Sequence, residues 1–184
     1  VLAALPLFIF MGAMLEKSGI AERLFEAVHL WTRRLPGGLA LGTVLMGVVF
    51  AAASGVVGAT ETVIGLLAIP IMMNHNYSKS LISGTICSAG SLGTVIPPSV
   101  LVVILAPVAD VSVGDLFAGI LLPGLIMAGL FFLYILIKCI IDPTAAPYME
   151  VDGPQPTFVE KVVKTLIALV PPVILIFVVL GTIL

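Results

Sequence analysis

Two short stretches of small and hydroxyl-bearing residues interrupt the apolar runs of this sequence, and they carry the groups best suited to bind an ion. One surrounds Ser54-Gly55, and the other extends from residue 90 to residue 99. Hydroxyl and carbonyl oxygens are the ligands that a hard cation such as Na⁺ takes, by analogy with other hard cations. The predicted substrate- and ion-binding residues are Ser54, Gly55, Thr60, Glu61, Gly90, Ser91, Gly93, Thr94, Pro97, Pro98 and Ser99, with Na⁺ assigned to Ser54, Ser91 and Thr94.

These hydroxyls also fit a second interpretation, in which they form hydrogen bonds between membrane helices. The binding interpretation is favoured for Ser91, Thr94 and Ser99, which lie beside a break in the helical pattern. For Ser83, Thr85 and Ser88, in the uninterrupted part of the same run, helix packing is the favoured role.

Glu61 is the only Asp, Glu, Lys or Arg residue between Arg34 and Lys79. A carboxylate at membrane depth is rare, and it indicates a functional site by default. Glu61 could hold a cation, a proton or a polar group of a substrate. The alternative is that it faces a water-filled crevice or pairs with a cation elsewhere in the protein.

The composition predicts an all-α integral membrane protein. The chain has 184 residues, of which 60% are hydrophobic and 10% charged, with a mean hydropathy of +1.27. Soluble domains carry about 25% charged residues. The net charge of −2 gives no indication of nucleic-acid binding. Cys87 and Cys139 are predicted to be packed thiols rather than a disulfide, and no Cys/His cluster indicates a resident metal site.

The run 80–109 has no charged residue and is long enough to span a bilayer, but its centre disfavours a helix. Pro97 and Pro98 remove two backbone donors, and each proline pushes the preceding residue out of the helical region. The pattern therefore predicts a broken transmembrane helix. Unpaired backbone groups in lipid cost several kcal/mol each, so such a break is tolerated only where it lines a cavity or binds something. Secondary transporters build their sites from breaks of this kind.

The run 37–73 is predicted to be a re-entrant helical hairpin, because arms 39–53 and 59–73 are short for a span of about twenty residues. Ser54-Gly55 forms its tip, and Pro70 and Asn74-His75-Asn76 mark its end. Before the hairpin, the sequence predicts a partial transmembrane helix at 1–15 and an interfacial amphipathic helix at 16–36. After the broken helix it predicts an acidic loop at 110–115, a transmembrane helix at 116–141 and a cytoplasmic loop at 142–157. The last segment, 158–184, is predicted to be a truncated transmembrane helix of the next repeat, kinked at Pro171-Pro172.

Positive charge orients this layout. If the hairpin returns to the side it left, all Lys and Arg residues lie on one side, and the opposite loop, 110–115, holds two aspartates. The positive-inside rule makes the basic side cytoplasmic. The chain opens without methionine and stops inside an apolar run, which predicts a fragment of a longer protein.

Five strings occur in the order expected for one transporter family, LPLFIFMGAMLEKSGIAERL, GGLALGTVLMGVVFAAASGVVGAT, GLLAIPIMMNHNYS, SAGSLGTVIPPS and SVGDLFAGILLPGL. Together they resemble the large membrane subunit, of DctM type, of tripartite ATP-independent periplasmic (TRAP) transporters. The resemblance extends over the whole chain. Its most specific part is GTVIPPS followed by SVGDLFAGILLPG.

The resemblance implies the first inverted repeat of an ion-transporter-superfamily fold, which moves its transport domain as an elevator against a scaffold. It implies Na⁺-coupled import of a small organic acid across a bacterial or archaeal inner membrane, with no cofactor besides the coupling ion. A periplasmic solute-binding protein and a small membrane subunit would be the partners. Two departures stand out: Val56 follows Ser54-Gly55 where relatives often have serine, and Glu61 stands where relatives often have a small or apolar residue.

Three alternatives remain open at this point. The first is a dicarboxylate-type anion transporter of the same superfamily that works without a binding protein. The second is a non-transporting membrane assembly subunit, which would not need helix breaks at membrane depth. The third is an intramembrane hydrolase, which is disfavoured because no Ser–His, paired Asp or His-x-x-x-His arrangement lies in an apolar run. The chain is therefore predicted not to be an enzyme.

Overall fold

The computed structural model describes residues 10, 13–14, 17–32, 35–55, 57–147 and 158–183. This part of the chain contains helices and no strand, which confirms the all-α prediction. The predictions for 1–15 and for 148–157 lie almost entirely outside the described residues. The helices are α1 (Ile20–Thr32), α2 (Gly38–Ser54), α3 (Val57–Asn74), α4 (Lys79–Val95), α5 (Val100–Ala109), α6 (Val113–Ile141) and α7 (Phe158–Ile183).

The core lies among α2, α3 and α4, and it depends on small residues that let the helices approach closely. A Cβ placed on Gly47 of α2 would lie 2.7 Å from Cβ of Ala89 on α4 and 3.1 Å from the Ala89 carbonyl oxygen. Phe50, Ile64 and Leu92 are buried in the same core as Ala89. Small residues at such crossings are typical of helices that associate within a membrane.

Helix α1 has the predicted amphipathic pattern, but its apolar face packs against protein. Leu24 and Phe25 are buried in the main core, and Thr32 Oγ1 lies 2.8 Å from where a Cβ on Gly42 of α2 would stand. Trp31, near the end of α1, donates from Nε1 to Thr165 Oγ1 of α7 at 2.9 Å. An amphipathic pattern specifies which face is buried and leaves open what covers it.

Helices α4 and α5 are bent by 41° at the break formed by residues 96–99. Helix α4 ends at Val95, and the N–H of its C-cap residue Ile96 donates to the Leu92 carbonyl at 2.8 Å. The Pro97–Pro98 peptide is cis. Among the described residues, α6 is the one helix long and apolar enough to span a membrane by itself, and the α4–α5 pair passes the same test if it is counted as one span.

Helix α3 passes through the exposed Pro70 and ends at Asn74, where the hairpin was predicted to end. Two other local predictions need correction. Helix α6 begins at Val113, because Ser112 Oγ accepts the Asp115 N–H at 3.1 Å, so the acidic loop is shorter than expected. Both cysteines are free as predicted, but Cys87 is exposed and only Cys139 is a packed thiol. Helix α7 includes Pro171-Pro172, and the kink predicted there stays a prediction.

The turn between α3 and α4 is tied to two other elements at the end of the molecule that carries Lys79 and Lys138. Tyr77 is buried, and its hydroxyl oxygen accepts the Leu39 N–H at 3.4 Å. Burial raises the pKa of Tyr77 to about 12, so the hydroxyl stays protonated. The Ser78 N–H donates to the Ala145 carbonyl at 2.9 Å. The turn is thereby fixed to the start of α2 and to the segment after α6.

We expect Gly47→Ala to destabilise the full-length protein by about 1–3 kcal/mol, because the added methyl overpacks a backbone contact that cannot relax. Equilibrium unfolding in detergent measures the change. The matched control is Gly129→Ala in α6, where nothing lies within 4 Å of the new Cβ; helix propensity makes that change neutral or stabilising. Equal stability of the two variants would contradict the close α2–α4 packing.

Candidate functional site

The hairpin tip is a single glycine in a left-handed conformation. Gly55 has φ of +64°, and its N–H donates to the Ala51 carbonyl at 2.9 Å, which closes the last turn of α2. Glycine adopts this conformation without the steric cost that a side chain brings. Helix α3 begins two residues later at Val57, so only residues 55 and 56 connect the two helices.

The tip lies directly against the break between α4 and α5. A Cβ on Gly55 would stand 2.3 Å from the Pro98 carbonyl oxygen and 3.6 Å from Cα of Ser99. The Val100 N–H, at the start of α5, donates to the Gly55 carbonyl at 3.3 Å. Two interruptions that lie more than forty residues apart in sequence therefore form one backbone contact.

The predicted ligand hydroxyls differ in how their hydrogen-bonding capacity is used. Ser54 Oγ and Thr60 Oγ1 are buried and lie 2.8 Å apart, one on each arm of the hairpin. Ser91 and Thr94 are half-buried and donate to carbonyls of their own helix, at 2.8 Å and 2.7 Å. Their oxygens keep acceptor capacity, which a cation could use. The predicted sharing of Na⁺ by Ser54, Ser91 and Thr94 stays a prediction.

Ser99 is the residue at the break whose side chain lacks a partner. It is fully buried, and its hydroxyl makes no hydrogen bond within the described part of the protein. It occupies the N-cap position of α5 but does not cap the helix with its side chain. A buried hydroxyl without a partner costs about 1–3 kcal/mol, so this group is expected to have a ligand or a structural partner in the working protein.

Glu61 lies across the face of α4 at Gly90. A Cβ on Gly90 would stand 1.9 Å from Cγ and 2.7 Å from Oε1 of Glu61. Glycine at position 90 therefore makes room for the carboxylate side chain, and the two predicted residues belong to one contact. Within the described ranges, no group of three or more His, Cys, Asp or Glu residues could hold a metal ion.

The other predicted residues shape the break, and one neighbour was not anticipated. Gly93, Pro97 and Pro98 are buried between the elements that meet there. Gly124 of α6 brings the long helix to the same place, since a Cβ there would lie 3.2 Å from Cγ1 of Val95 and 3.4 Å from its carbonyl oxygen. The available signal was Pro123-Gly124 inside an otherwise apolar run. It was too weak to single out a contact.

This arrangement offers oxygen ligands, helix ends and a carboxylate at the centre of an apolar helical bundle. It lacks the nucleophile–base geometry of a hydrolase and has the broken helices that secondary transporters use at their sites. The features are those of a membrane transport protein.

The family comparison agrees with this class. A sequence model of the family described as the tripartite ATP-independent periplasmic transporter, DctM component, matches residues 1–184. The chain belongs to this family of transporters, which are not enzymes.

Three curated relatives illustrate the similarity. A C4-dicarboxylate TRAP transporter large permease protein of Pseudomonas aeruginosa is 38% identical over 113 residues, which cover 61% of this chain and 26% of the relative. Its Vibrio cholerae counterpart is 39% identical over 113 residues, covering 61% and 25%. An isethionate TRAP transporter permease protein of Oleidesulfovibrio alaskensis is 37% identical over 111 residues, covering 60% and 18%. The matched region is about a quarter or less of each relative's length.

We expect Gly55→Ala to abolish most transport by the full-length protein. The left-handed conformation costs a side-chain residue about 1–2 kcal/mol, and the new methyl must displace the Pro98 carbonyl. Substrate uptake into proteoliposomes, at matched protein incorporation, measures the loss. Gly58→Ala is the control, because it lies three residues away with nothing within 4 Å of its Cβ position. Retention of wild-type uptake by Gly55→Ala would show that the tip–break contact is dispensable.

Proposed function

We propose that this chain is part of the large membrane subunit of a Na⁺-coupled TRAP transporter that imports a small organic acid. The contact between the hairpin tip and the α4–α5 break forms half of the substrate and ion site. The observation that carries the proposal is the buried Ser99 hydroxyl, which has no partner among the described residues and lies beside the Gly55–Val100 contact.

The chemistry of the break suits both a cation and a carboxylate. Thr94 and Ser99 supply oxygens that retain acceptor capacity, and the end of α4 presents backbone carbonyls. The N-terminus of α5 carries a partial positive charge that favours an anion. One break can therefore hold Na⁺ and the acid group of a substrate side by side, which is how an ion gradient can be coupled to uptake. The names of the relatives, for C4-dicarboxylates and isethionate, support an organic acid.

In this proposal, α2 to α5 are the first half of a transport domain in which α2 and α3 form a re-entrant hairpin. The domain moves as an elevator against a scaffold that includes α6. The substrate comes from a periplasmic binding protein, and a small membrane subunit completes the complex in the inner membrane. The buried small-residue contacts among α2, α3 and α4 support their movement as one body, since close packing of this kind resists internal rearrangement.

The function is tested by uptake of radiolabelled C4-dicarboxylates and isethionate into proteoliposomes that contain the full-length protein and its small subunit. An inward Na⁺ gradient and the cognate binding protein are each supplied or omitted. We expect uptake only when both are present. Uptake with Na⁺ alone would instead support a transporter that works without a binding protein, and uptake driven by a proton gradient alone would contradict Na⁺ coupling.

We expect Ser99→Ala to weaken Na⁺ dependence at least severalfold without destabilising the protein. Removal of a buried hydroxyl that has no partner in the described part of the chain loses no hydrogen bond seen there, so stability is expected to be unchanged or higher. The half-saturating Na⁺ concentration and the unfolding midpoint are measured on the same preparation. The control is Thr85→Val, because Thr85 is the comparable buried hydroxyl without a described partner, remote from the break. An equal effect of both variants on Na⁺ dependence would contradict the assignment of Ser99.

We expect Glu61→Gln to change the pH or substrate dependence of uptake, because the amide keeps the contact with Gly90 but removes the charge. Initial uptake rates across a pH series measure the effect. Glu22→Gln, on the exposed face of α1, serves as the control. A pH and substrate profile identical to wild type would assign Glu61 a packing role only.

A further inference from the structure

A groove of about 890 Å³ lies between α4 and α6, away from the tip–break contact. Apart from Leu81, its α4 wall consists of small and polar residues, among them Gly84 and Ser88. Its α6 wall is apolar and aromatic, with Leu130, Phe131 and Tyr134. Leu130 and Tyr134 are also exposed on the outer surface of α6. In the described part of the protein, the groove is therefore open along the outer surface of α6.

The dimensions of the groove match one leaflet of a bilayer. Its mouth lies where α4 begins and α6 ends, at Ser80 and Lys138. From there it extends to Ser88 on α4 and to Leu130 on α6, eight residues along each helix, or about 12 Å at 1.5 Å per residue. A hydrocarbon core of about 30 Å gives each leaflet about 15 Å. An acyl chain that enters at the mouth would thus stay in the groove for most of its leaflet.

The mouth carries a charge pair of both signs. Lys138 Nζ lies 3.5 Å from Asp142 Oδ2, and the side chains are 44% and 39% exposed, so both can reach a ligand. Thr144 donates a hydrogen bond to the other carboxylate oxygen of Asp142. That hydrogen bond and the nearby ammonium of Lys138 lower the pKa of Asp142. The carboxylate therefore remains ionised and can accept hydrogen bonds from a cationic donor.

We propose that this groove binds a phospholipid whose head group is zwitterionic and carries a primary ammonium, as phosphatidylethanolamine does. The phosphate would contact Lys138, the ammonium would donate to Asp142, and an acyl chain would lie along the α6 wall. A choline head group has no N–H to donate, and an anionic glycerol head group would place its phosphate beside an uncompensated carboxylate. Both are therefore expected to bind less well. Lipid binding in the groove depends on the protein lying in a membrane, and it does not depend on the proposed ion site.

The test is native mass spectrometry of the full-length protein after delipidation and incubation with mixed micelles. The micelles contain one of dioleoyl phosphatidylethanolamine, phosphatidylcholine or phosphatidylglycerol. We expect phosphatidylethanolamine to be retained at least threefold more than either of the others. In Asp142→Asn, the freed Lys138 should shift the preference to phosphatidylglycerol. Equal retention of the three lipids, or an unchanged preference in Asp142→Asn, would overturn the proposal.

A pair of glycine variants locates the bound lipid. Gly84→Leu places a side chain in the groove, where nothing lies within 4 Å of the Cβ position, so the change fills space without a clash. Gly119→Leu is the matched control, since that α6 position is equally open and does not line the groove. We expect Gly84→Leu to lose the retained lipid and Gly119→Leu to keep it. Retention of the lipid by both variants, or loss from both, would place it elsewhere and overturn the site.

Discussion

The hydrogen bond from the Val100 N–H to the Gly55 carbonyl is the interaction on which the rest of this structure depends. Wherever a helix stops inside a bilayer, backbone donors and acceptors lose their partners, and lipid supplies none. Here the Gly55 carbonyl at the end of α2 accepts the Val100 N–H at the start of α5, so each interruption supplies a hydrogen-bond partner to the other. The fit requires a residue without a side chain at position 55, since the Pro98 carbonyl occupies the space of a Cβ. The arrangement of the central helices follows from bringing these two breaks together.

Small residues fix the rest of the bundle around that contact. Gly47 lets α2 approach the backbone of α4 at Ala89, and Gly90 makes room for Glu61 of α3. Helices in lipid gain little from hydrophobic association and depend on close packing instead. A rigid body formed in this way can move past a neighbouring helix without internal change, which is the mechanical requirement of an elevator.

The groove between α4 and α6 lies at a boundary that matters in the proposed mechanism. One wall belongs to the helices that would move and the other to the helix that would stay in place. A lipid there would fill space that changes as the transport domain moves. The charges that its head group would need are set by Lys138 and Asp142, which lie one helical turn apart at the end of α6. Binding at this boundary would let membrane composition influence transport.

The sequence by itself determined the class of protein and the positions of the interruptions. Apolar length, the proline pair and the Ser-Gly tip are local features, and each acts on the backbone where it occurs. The tertiary structure alone decided which interruptions meet, that α1 packs on α2, that Gly90 accommodates Glu61 and that Ser54 pairs with Thr60. These are contacts between distant residues, and hydropathy and helix propensity do not encode them. Only the packing of whole helices determines which side chains finally share a site.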